Sequence, residues 1–309
     1  MTSCSQSSDA FTTIDDTRKL FENNPDVKLV RNGKVRDIFE NSNTGEFFLV
    51  ASDRISAFDR HLTTIPYKGV VLNKTSKWWF DMTRDIVPNH VIDDSHSVIL
   101  KTKKCKVIPI EFVMRSYLTG STQTSIWKNY EAGSRMYCGH ALPDNMVRNQ
   151  KLEKHLLTPT TKDEHDELIS EKEILDQNIM TQEQWNTCKD YAFKLFEFGQ
   201  KTLAEKNIIL VDTKYEFGID EDGNILLVDE LHTPDSSRFW ILDTYKERFE
   251  SGQEPANFDK EVVRRWVKQN YKDPYDLSVS IDIPYDVRTE LSKTYLNIYN
   301  MITGKFIVE

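Results

Sequence analysis

The sequence lacks the features that mark several large protein classes. It has only four cysteines and none of them forms a C-x-x-C pair, so their spacing indicates neither a zinc site nor a disulfide framework. No apolar run approaches the roughly 20 residues that a membrane-spanning helix needs. The first ten residues are polar, without the basic start and apolar core of a signal peptide. Reduced thiols in a cytoplasmic protein are the simplest interpretation.

Positive charge is also scarce. The chain carries 49 Asp and Glu against 40 Lys and Arg, and its net charge of −9 argues against nonspecific nucleic-acid binding while leaving room for local basic pockets. With 309 residues, it is long enough for one large domain or for two lobes. We expect small-molecule partners, no nucleic acid and no membrane. The sequence leaves open whether the protein is a monomer or a homo-oligomer.

The most informative stretch of the chain is 207–240. Two apolar runs, 208–211 and 225–228, each end in an aspartate, Asp212 and Asp229. The turn sequence E-D-G-N lies between them and is typical of a β-hairpin. Carboxylates at the edge of a core are costly unless they are paired, protonated or bound to a metal.

Charged residues alternate along the first of these strands. Because alternate residues share a face, Asp212, Lys214 and Glu216 would line one side of an otherwise apolar strand. Hard oxygen ligands suit Mg²⁺, particularly when phosphates complete its shell. A single acid at a strand end more often caps a turn or lies in water. The whole set, followed by the polar segment 234–238, favours a Mg²⁺–phosphate site.

Further polar segments are candidates for binding. The turn at 32–33, followed by Lys34 and Arg36, can lay backbone N–H groups and cations over phosphates, although N-G is also a common hairpin turn. The loop 52–60 is crowded with charges of both signs and favours a binding role. The turn at 120–121 is either an anion site or a simple turn.

The segment 158–166 concentrates polar, charged and imidazole groups. Lys162 can reach a phosphate from such a loop, whereas His165 is either a catalytic base or a hydrogen-bonded loop histidine. No H-E-x-x-H metal motif is present. Periodicity predicts helices at 11–24, 73–87, 122–131, 181–206, 257–270 and 285–302. It predicts a strand–turn–strand pattern at 27–40, strands at 46–51, 97–101 and 103–115, and an irregular region at 132–180.

Six motifs occur in order along the chain. They are G-K-V-R-D-I at 33–38, S-D-R-I-S-A-F-D at 52–59, K-V-I-P-I-E-F-V-M-R-S-Y-L-T-G-S at 106–121, T-P-T-T-K-D-E-H-D at 158–166, V-D-T-K-Y-E-F-G at 211–218 and V-D-E-L-H-T-P-D-S-S-R-F-W at 228–240. Together they resemble the SAICAR synthetases, the phosphoribosylaminoimidazole-succinocarboxamide synthases of purine biosynthesis. The form of the motifs is similar to the longer, single-function type of fungi and some bacteria.

The resemblance implies a fold and a reaction. The fold would be α+β and two-lobed, related to protein kinases and ATP-grasp enzymes. A tail with a short helix at 1–24 would precede a β-rich nucleotide-covering lobe at 25–118 and an α+β lobe at 119–309 for substrate and metal. The reaction would join L-aspartate to 5-amino-1-(5-phospho-D-ribosyl)imidazole-4-carboxylate, with ATP and Mg²⁺ as cofactors. Because a carboxylate is a poor electrophile, an acyl phosphate is the expected intermediate.

The resemblance also implies roles for individual residues. Those expected to hold the metal are Glu216 and Asp229. Those expected to bind the nucleotide, besides these two, are Gly33, Lys34, Val35, Arg36, Lys103, Lys106, Val107, Ile108 and Lys162. Those expected to bind substrate are Asp53, Ser56, Asp59, Arg115, Ser121, Asp212, Lys214, Asp235, Ser237 and Arg238, with catalytic roles for Lys214, Asp212 and Arg238. Asp212, another carboxylate of the pocket or a substrate phosphate would accept the proton of the attacking amine.

Two other functions fit parts of the pattern. A kinase-like phosphotransferase would use the same nucleotide cleft, but the sequence lacks the H-R-D-x-x-x-x-N and D-F-G motifs. A noncatalytic nucleotide-binding regulator would be expected to have lost the metal carboxylates, and Glu216 and Asp229 are both present. ADP release that depends on aspartate would separate the ligase from both.

Overall fold

The computed structural model describes residues 16–58, 60–93, 96–162, 166–258 and 261–307. Asp59, an expected substrate residue, and His165 lie outside these ranges. The strands are β1 (Val27–Asn32), β2 (Arg36–Asn41), β3 (Phe47–Ala51), β4 (Arg54–Ala57), β5 (Arg60–Thr64), β6 (Val91–Asp93), β7 (Ile99–Thr102), β8 (Lys106–Tyr117), β9 (Met136–Tyr137), β10 (His140–Ala141), β11 (Lys151–Leu157), β12 (Thr160–Thr161), β13 (Ile208–Ile219), β14 (Ile225–Val228) and β15 (Ser237–Ile241). The helices are α1 (Lys68–Met82), α2 (Ile126–Glu131), α3 (Glu171–Asp176), α4 (Gln182–Ala204), α5 (Leu242–Glu250), α6 (Glu261–Asn270) and α7 (Tyr285–Thr303), and a short 3-10 helix covers Thr17–Phe21.

The chain divides into two compact units. The first unit comprises Met1–Lys77, Val91–Lys103 and Asp259–Glu309, and the second comprises Trp78–His90 and Lys104–Phe258. The lobes expected from the sequence have different limits, since β8 pairs with strands of the second unit and α6 and α7 belong to the first. The mixed α+β fold is as expected.

The first unit contains an antiparallel sheet in the order β1-β2-β3-β7-β6. Its N-G turn joins β1 and β2 as a hairpin, which confirms the expected strand–turn–strand pattern. One face of the sheet buries Phe39, Val50 and Val98. A second apolar cluster joins the β4–β5 hairpin to α6 and α7 and includes Ile55 and Leu291.

The second unit is built on a sheet in the order β11-β8-β13-β14, with β12 on β8 and β15 on β13. The long strand β13 therefore has β8 along one edge and both β14 and β15 along the other. Helix α4 covers one face of β13, and Thr181 and Gln184 form the expected capping box at its start. Phe112 stacks on Trp185 of this helix with ring centroids 5.4 Å apart. A central strand fixed on both edges is a rigid support for the polar side chains it carries.

Several predicted bounds were wrong. The helix predicted at 73–87 is α1, which begins five residues earlier and ends at Met82. The region 132–180, predicted as irregular, contains β9 to β12 and α3. Strands β11 and β12 pair with β8, which is distant in sequence, so their local pattern gives little sign of them. Strand β15 and helix α5 were not predicted. No described helix is both long enough and apolar enough to cross a membrane.

Candidate active site

Strand β13 carries its charged residues on one face, as the alternation predicted. Lys214 forms an ion pair with Glu216, two residues along the strand. The intervening Tyr215 and the following Phe217 are fully buried on the opposite side. Because β13 is a central strand, these polar side chains also reach partners on β8 and β15.

A cluster of carboxylates surrounds Lys214. Its ammonium Nζ lies 3.3 Å from Glu111 Oε1 and 3.5 Å from Asp229 Oδ2, in addition to its contact with Glu216. Lys162 pairs with the other carboxylate oxygen of Glu216. Three carboxylates and two ammonium groups thus share one site, and the Glu216 side chain is only 5% exposed. We call these five residues the carboxylate cluster.

Lys214 stays charged in this setting. Burial lowers its pKa, but the carboxylates of Asp229 and Glu111 act against burial, and the net result is a pKa above the usual lysine value. A lysine of this kind supplies positive charge and N–H donors, and it does not act as a base at neutral pH. Lys214 is therefore suited to binding a phosphate or a carboxylate oxygen.

Two arginines converge on Asp212 at the other end of the polar face. Arg238 of β15 donates a hydrogen bond to Asp212 Oδ2, and Arg115 NH1 of β8 lies 3.7 Å from the same oxygen. Arg115 is also fixed by a 2.9 Å hydrogen bond from its Nε to Thr158 Oγ1. Ser237 shares a 2.7 Å hydroxyl contact with Thr213. Two guanidinium groups beside one carboxylate leave an excess positive charge, which suits a bidentate anionic ligand.

The turn at 120–121 adjoins this two-arginine site. Gly120 has φ +105°, a conformation that side chains rarely adopt, and an added Cβ would lie 2.4 Å from Ser125 Cβ and 3.7 Å from Arg238 NH2. Glycine is therefore required at this position. Ser121 is exposed at the next position.

The loop after β14 brings Asp229 to the carboxylate cluster. Asp229 itself has φ +66° and His232 has φ +45°. Thr233 Oγ1 donates to the Glu230 carboxylate and accepts from the backbone N–H groups of Asp235 and Ser236, each at 3.3 Å. Asp235 thus lies in a tightly bonded turn.

In the first unit, the N-G turn encloses a buried ion pair. Asp37 accepts hydrogen bonds from Gly33 N at 3.2 Å and from Arg54 NH2 at 2.7 Å, and Arg54 also donates to the Gly33 carbonyl at 3.1 Å. An added Cβ on Gly33 would lie 2.2 Å from the carbonyl oxygen of Arg36, so this turn needs glycine. Lys34 projects at the exposed tip.

This turn borders a basic pocket of about 370 Å³ within the first unit. Its lining residues are Asn32, Gly33, Lys34, Arg54, Ser56, Arg60 and His61. Its three cations, together with the Ser56 hydroxyl, which donates to the Lys34 carbonyl at 3.5 Å, are suited to an anion. Asp53, an expected substrate residue, is buried. Its carboxylate accepts a 2.7 Å hydrogen bond from the N–H of Gly69 in the first turn of α1.

The remaining expected nucleotide residues lie on strands or at their ends. Lys103 is exposed just after β7. Lys106 and Val107 are exposed at the start of β8 and pair with the end of β13, whereas the side chain of Ile108 is buried. Val35 packs against an apolar cluster of the first unit.

Sequence reasoning missed Glu111, Arg54 and Arg60. The position of Glu111 on the same strand face as Arg115 was predictable, since the two residues lie four apart in one strand. Its position opposite Glu216 depends on the register between β8 and β13, which the sequence does not show. Arg54 and Arg60 were visible only as members of a charged loop.

The donor set fits a divalent cation held together with phosphates. Across the described ranges, no group of three or more carboxylate, histidine or cysteine side chains is arranged to hold a metal by itself. Mg²⁺ takes one or two protein carboxylates and completes its shell with water and phosphate oxygens. Glu216 and Asp229, both in contact with Lys214, meet that requirement.

Known proteins resemble this chain along most of its length. The family model for SAICAR synthetase matches residues 29–278. The phosphoribosylaminoimidazole-succinocarboxamide synthase of Legionella pneumophila (strain Paris) is 50% identical over 277 residues, which cover 89% of this chain and 88% of that protein. A solved structure of SAICAR-synthase from Saccharomyces cerevisiae, complexed with SAICAR, is 32% identical with a TM-score of 0.80, and the match covers 93% of this chain and 98% of that one.

A SAICAR synthetase (Type-2) in complex with ADP shares the fold at 22% identity, with a TM-score of 0.68 and coverage of 90% of this chain and 99% of that one. The matched residues of the family model include β13, the loop after β14 and β15, and hence both polar sites of the second unit. This chain therefore belongs to the SAICAR synthetase family, a family of ligases in purine biosynthesis.

Proposed function

We propose that this chain joins L-aspartate to 5-amino-1-(5-phospho-D-ribosyl)imidazole-4-carboxylate, with ATP converted to ADP and phosphate. The observation that carries the proposal is the polar face of β13, which places a carboxylate cluster and a two-arginine site on one rigid strand. Asp212 and Glu216 are four residues apart, about 13 Å along an extended strand. The names of the relatives, and the SAICAR and ADP bound in two of the solved structures, support the same reaction.

The carboxylate cluster is the proposed site of the metal-bound triphosphate. Glu216 and Asp229 would hold Mg²⁺, which neutralises charge on the phosphates and orients them for transfer. Lys162 and Lys214 add ammonium groups at the same place and would bind phosphate oxygens. Glu111, which shares Lys214 with these acids, would keep that lysine oriented.

The two-arginine site is the proposed site of the ribonucleotide. Arg115 and Arg238 would bind its anionic groups as bidentate donors, with Ser121 and Ser237 as hydroxyl partners. Asp212 would hold both guanidinium groups in place. Each arginine is thereby preorganised before the ligand arrives, which reduces the entropy lost on binding.

The chemistry follows in two steps. An oxygen of the imidazole carboxylate attacks the γ-phosphorus of ATP, the bond to the β-phosphate breaks, and ADP leaves. The α-amine of aspartate then attacks the acyl carbon, phosphate departs with the bridging oxygen, and the amine proton passes to Asp212 or to a phosphate oxygen. Lys214, a charged member of the carboxylate cluster two residues along β13 from Asp212, would stabilise the negative charge that develops on the acyl oxygen.

In the first unit, we propose that the N-G turn binds nucleotide phosphates. Lys34 and Arg36 would supply the cations. Gly33, whose N–H donates to Asp37, would allow the tight turn, and Val35 fixes the turn to the apolar cluster beneath it. Lys103 in the first unit and Lys106, Val107 and Ile108 in the second remain proposed nucleotide contacts. Ser56, which lines the basic pocket, is a proposed substrate contact. Asp53 contributes by holding the start of α1.

An oxygen-transfer experiment tests the reaction. The ribonucleotide labelled with ¹⁸O in its carboxylate is incubated with ATP, Mg²⁺ and L-aspartate, and the phosphate and the nucleotide product are analysed by mass spectrometry. An acyl phosphate requires one ¹⁸O atom in each phosphate released. ADP release that proceeds equally without aspartate would sink the ligase function, and unlabelled phosphate would sink the acyl phosphate.

A further inference from the structure

His232 lies in the loop after β14 and is fully buried in the second unit. Its Nε2 forms a 2.6 Å hydrogen bond with the hydroxyl of Tyr215, on the buried face of β13. Among the described residues, none forms a hydrogen bond with its Nδ1. Burial lowers the pKa of His232 to about 3, so the imidazole is neutral at every physiological pH.

The imidazole ring of His232 packs between Trp79 and Gly199. The ring of Trp79 lies nearly perpendicular to it, with centroids 4.7 Å apart. Gly199 of α4 closes the other side, where an added Cβ would lie 2.4 Å from His232 Cε1. Helix α4 therefore approaches the loop closely only because residue 199 has no side chain.

The loop itself is held in an unfavourable backbone conformation. Asp229 and His232 both have φ in the left-handed region, which is unfavourable for residues other than glycine. Such conformations persist only where surrounding contacts hold them. Contacts that hold this loop include the packing of the His232 ring on the apolar side and the Lys214–Asp229 contact on the polar side. A 3.1 Å backbone hydrogen bond from Lys214 N to the Ser236 carbonyl also joins the loop to β13.

We propose that His232 is a positioning residue whose hydrogen bond to Tyr215 ties this loop to β13 and so presents Asp229 beside Glu216. Tyr215 lies between Lys214 and Glu216 in the chain. The hydrogen bond from His232 therefore fixes the loop to the same strand segment that carries Lys214 and Glu216. This inference rests on the proposed function, because it needs Glu216 and Asp229 to bind the metal.

The test measures the Mg²⁺ dependence of ADP release at saturating substrates. Independently of activity, it also measures the Kd for Mn²⁺ in the presence of ADP by electron paramagnetic resonance, which should rise in parallel. Tyr215→Phe removes one hydroxyl and keeps the ring volume, so it carries the test even if His232→Leu fails to fold. In both variants we expect the Mg²⁺ concentration for half-maximal activity to rise about tenfold, the lower end of what partners outside the direct ligands contribute. We expect kcat at saturating Mg²⁺ to change less than about threefold. His232→Gln should restore part of the affinity, because its side-chain amide can still bond a hydroxyl.

His140→Leu is the matched control. His140 is a partly buried histidine of the same unit, bonded through Nε2 to the Leu157 carbonyl at 2.7 Å, and its loss should leave the Mg²⁺ requirement unchanged. If Tyr215→Phe lowers activity equally at all Mg²⁺ concentrations, His232 has only a structural role and the proposal is wrong.

Asp229→Asn separates the two proposals. If it leaves the Mg²⁺ requirement unchanged, the metal assignment itself fails and the positioning role fails with it. If it raises the requirement while Tyr215→Phe does not, the metal assignment stands and the positioning role alone is overturned.

Discussion

Replacing Arg238 by alanine gives a direct test of the two-arginine site. In the protein, Arg238 donates to Asp212 while Arg115 lies 3.7 Å from the same carboxylate oxygen. The substitution removes at least one charge-assisted hydrogen bond to an anionic ligand, worth about 1.5–3 kcal/mol. It also leaves Asp212 with a single, longer cationic contact, so that its negative charge faces the ligand. We expect the Kd for the imidazole ribonucleotide to rise about 10- to 150-fold, the equivalent of that energy.

Calorimetric titration of the same variant with both nucleotides measures the effect. The Kd for Mg²⁺–ATP should change less than about threefold, since the carboxylate cluster lies about 13 Å further along β13. Arg238→Lys should give an intermediate loss, because lysine keeps the charge without the bidentate fork.

Arg135→Ala is the control, since Arg135 makes an exposed ion pair with Asp144 at 2.8 Å and exposed pairs contribute little. Both affinities should stay at their wild-type values. Equal losses of ribonucleotide and ATP affinity in Arg238→Ala would refute the separation of the two sites.

Other substitutions test the metal site, the N-G turn and the buried histidine. Glu216→Ala and Asp229→Ala should abolish turnover while circular dichroism shows an intact fold, and near-normal activity at limiting Mg²⁺ would contradict the metal assignment. Gly33→Ala would place a Cβ 2.2 Å from a backbone oxygen; we expect a loss of about 1–3 kcal/mol in urea unfolding and a raised KM for ATP. The pKa of His232 is lowered to about 3 in the folded protein. As the pH falls below about 6.5, His232 therefore binds a proton in the unfolded state but not in the folded state, and the free energy of unfolding decreases. Between pH 6.5 and 5.0, the wild type should lose about 1.5–2 kcal/mol more in urea unfolding than His232→Leu; equal losses would contradict a buried neutral imidazole.

The polar face of β13 was predictable because its signal is local. A period of two along 212–216 puts three charged side chains on one side whatever the partners of the strand are. The capping box at Thr181 and the hairpin turn at 32–33 are local signals of the same kind. The family motifs identified the α+β fold and the reaction class.

The rest required the tertiary structure. Glu111 joins the carboxylate cluster because the register of β8 on β13 sets it opposite Glu216. Strands β11 and β12 form by pairing with one edge of β8, and no local sequence pattern in 132–180 predicts this pairing. The assignments of individual residues to ATP, metal and substrate stay predictions until they are measured.

The central position of β13 also limits how this sequence can change over time. Its charged residues are all in phase with the pleat of the strand. Loss or gain of one residue within the strand would therefore exchange its two faces, sending Lys214 into the core and Tyr215 toward the ligands. Point substitutions can be absorbed one at a time, whereas a shift in length disrupts both sites at once. The turn at Gly223, with open space around it, is where this hairpin can lengthen or shorten without changing the phase.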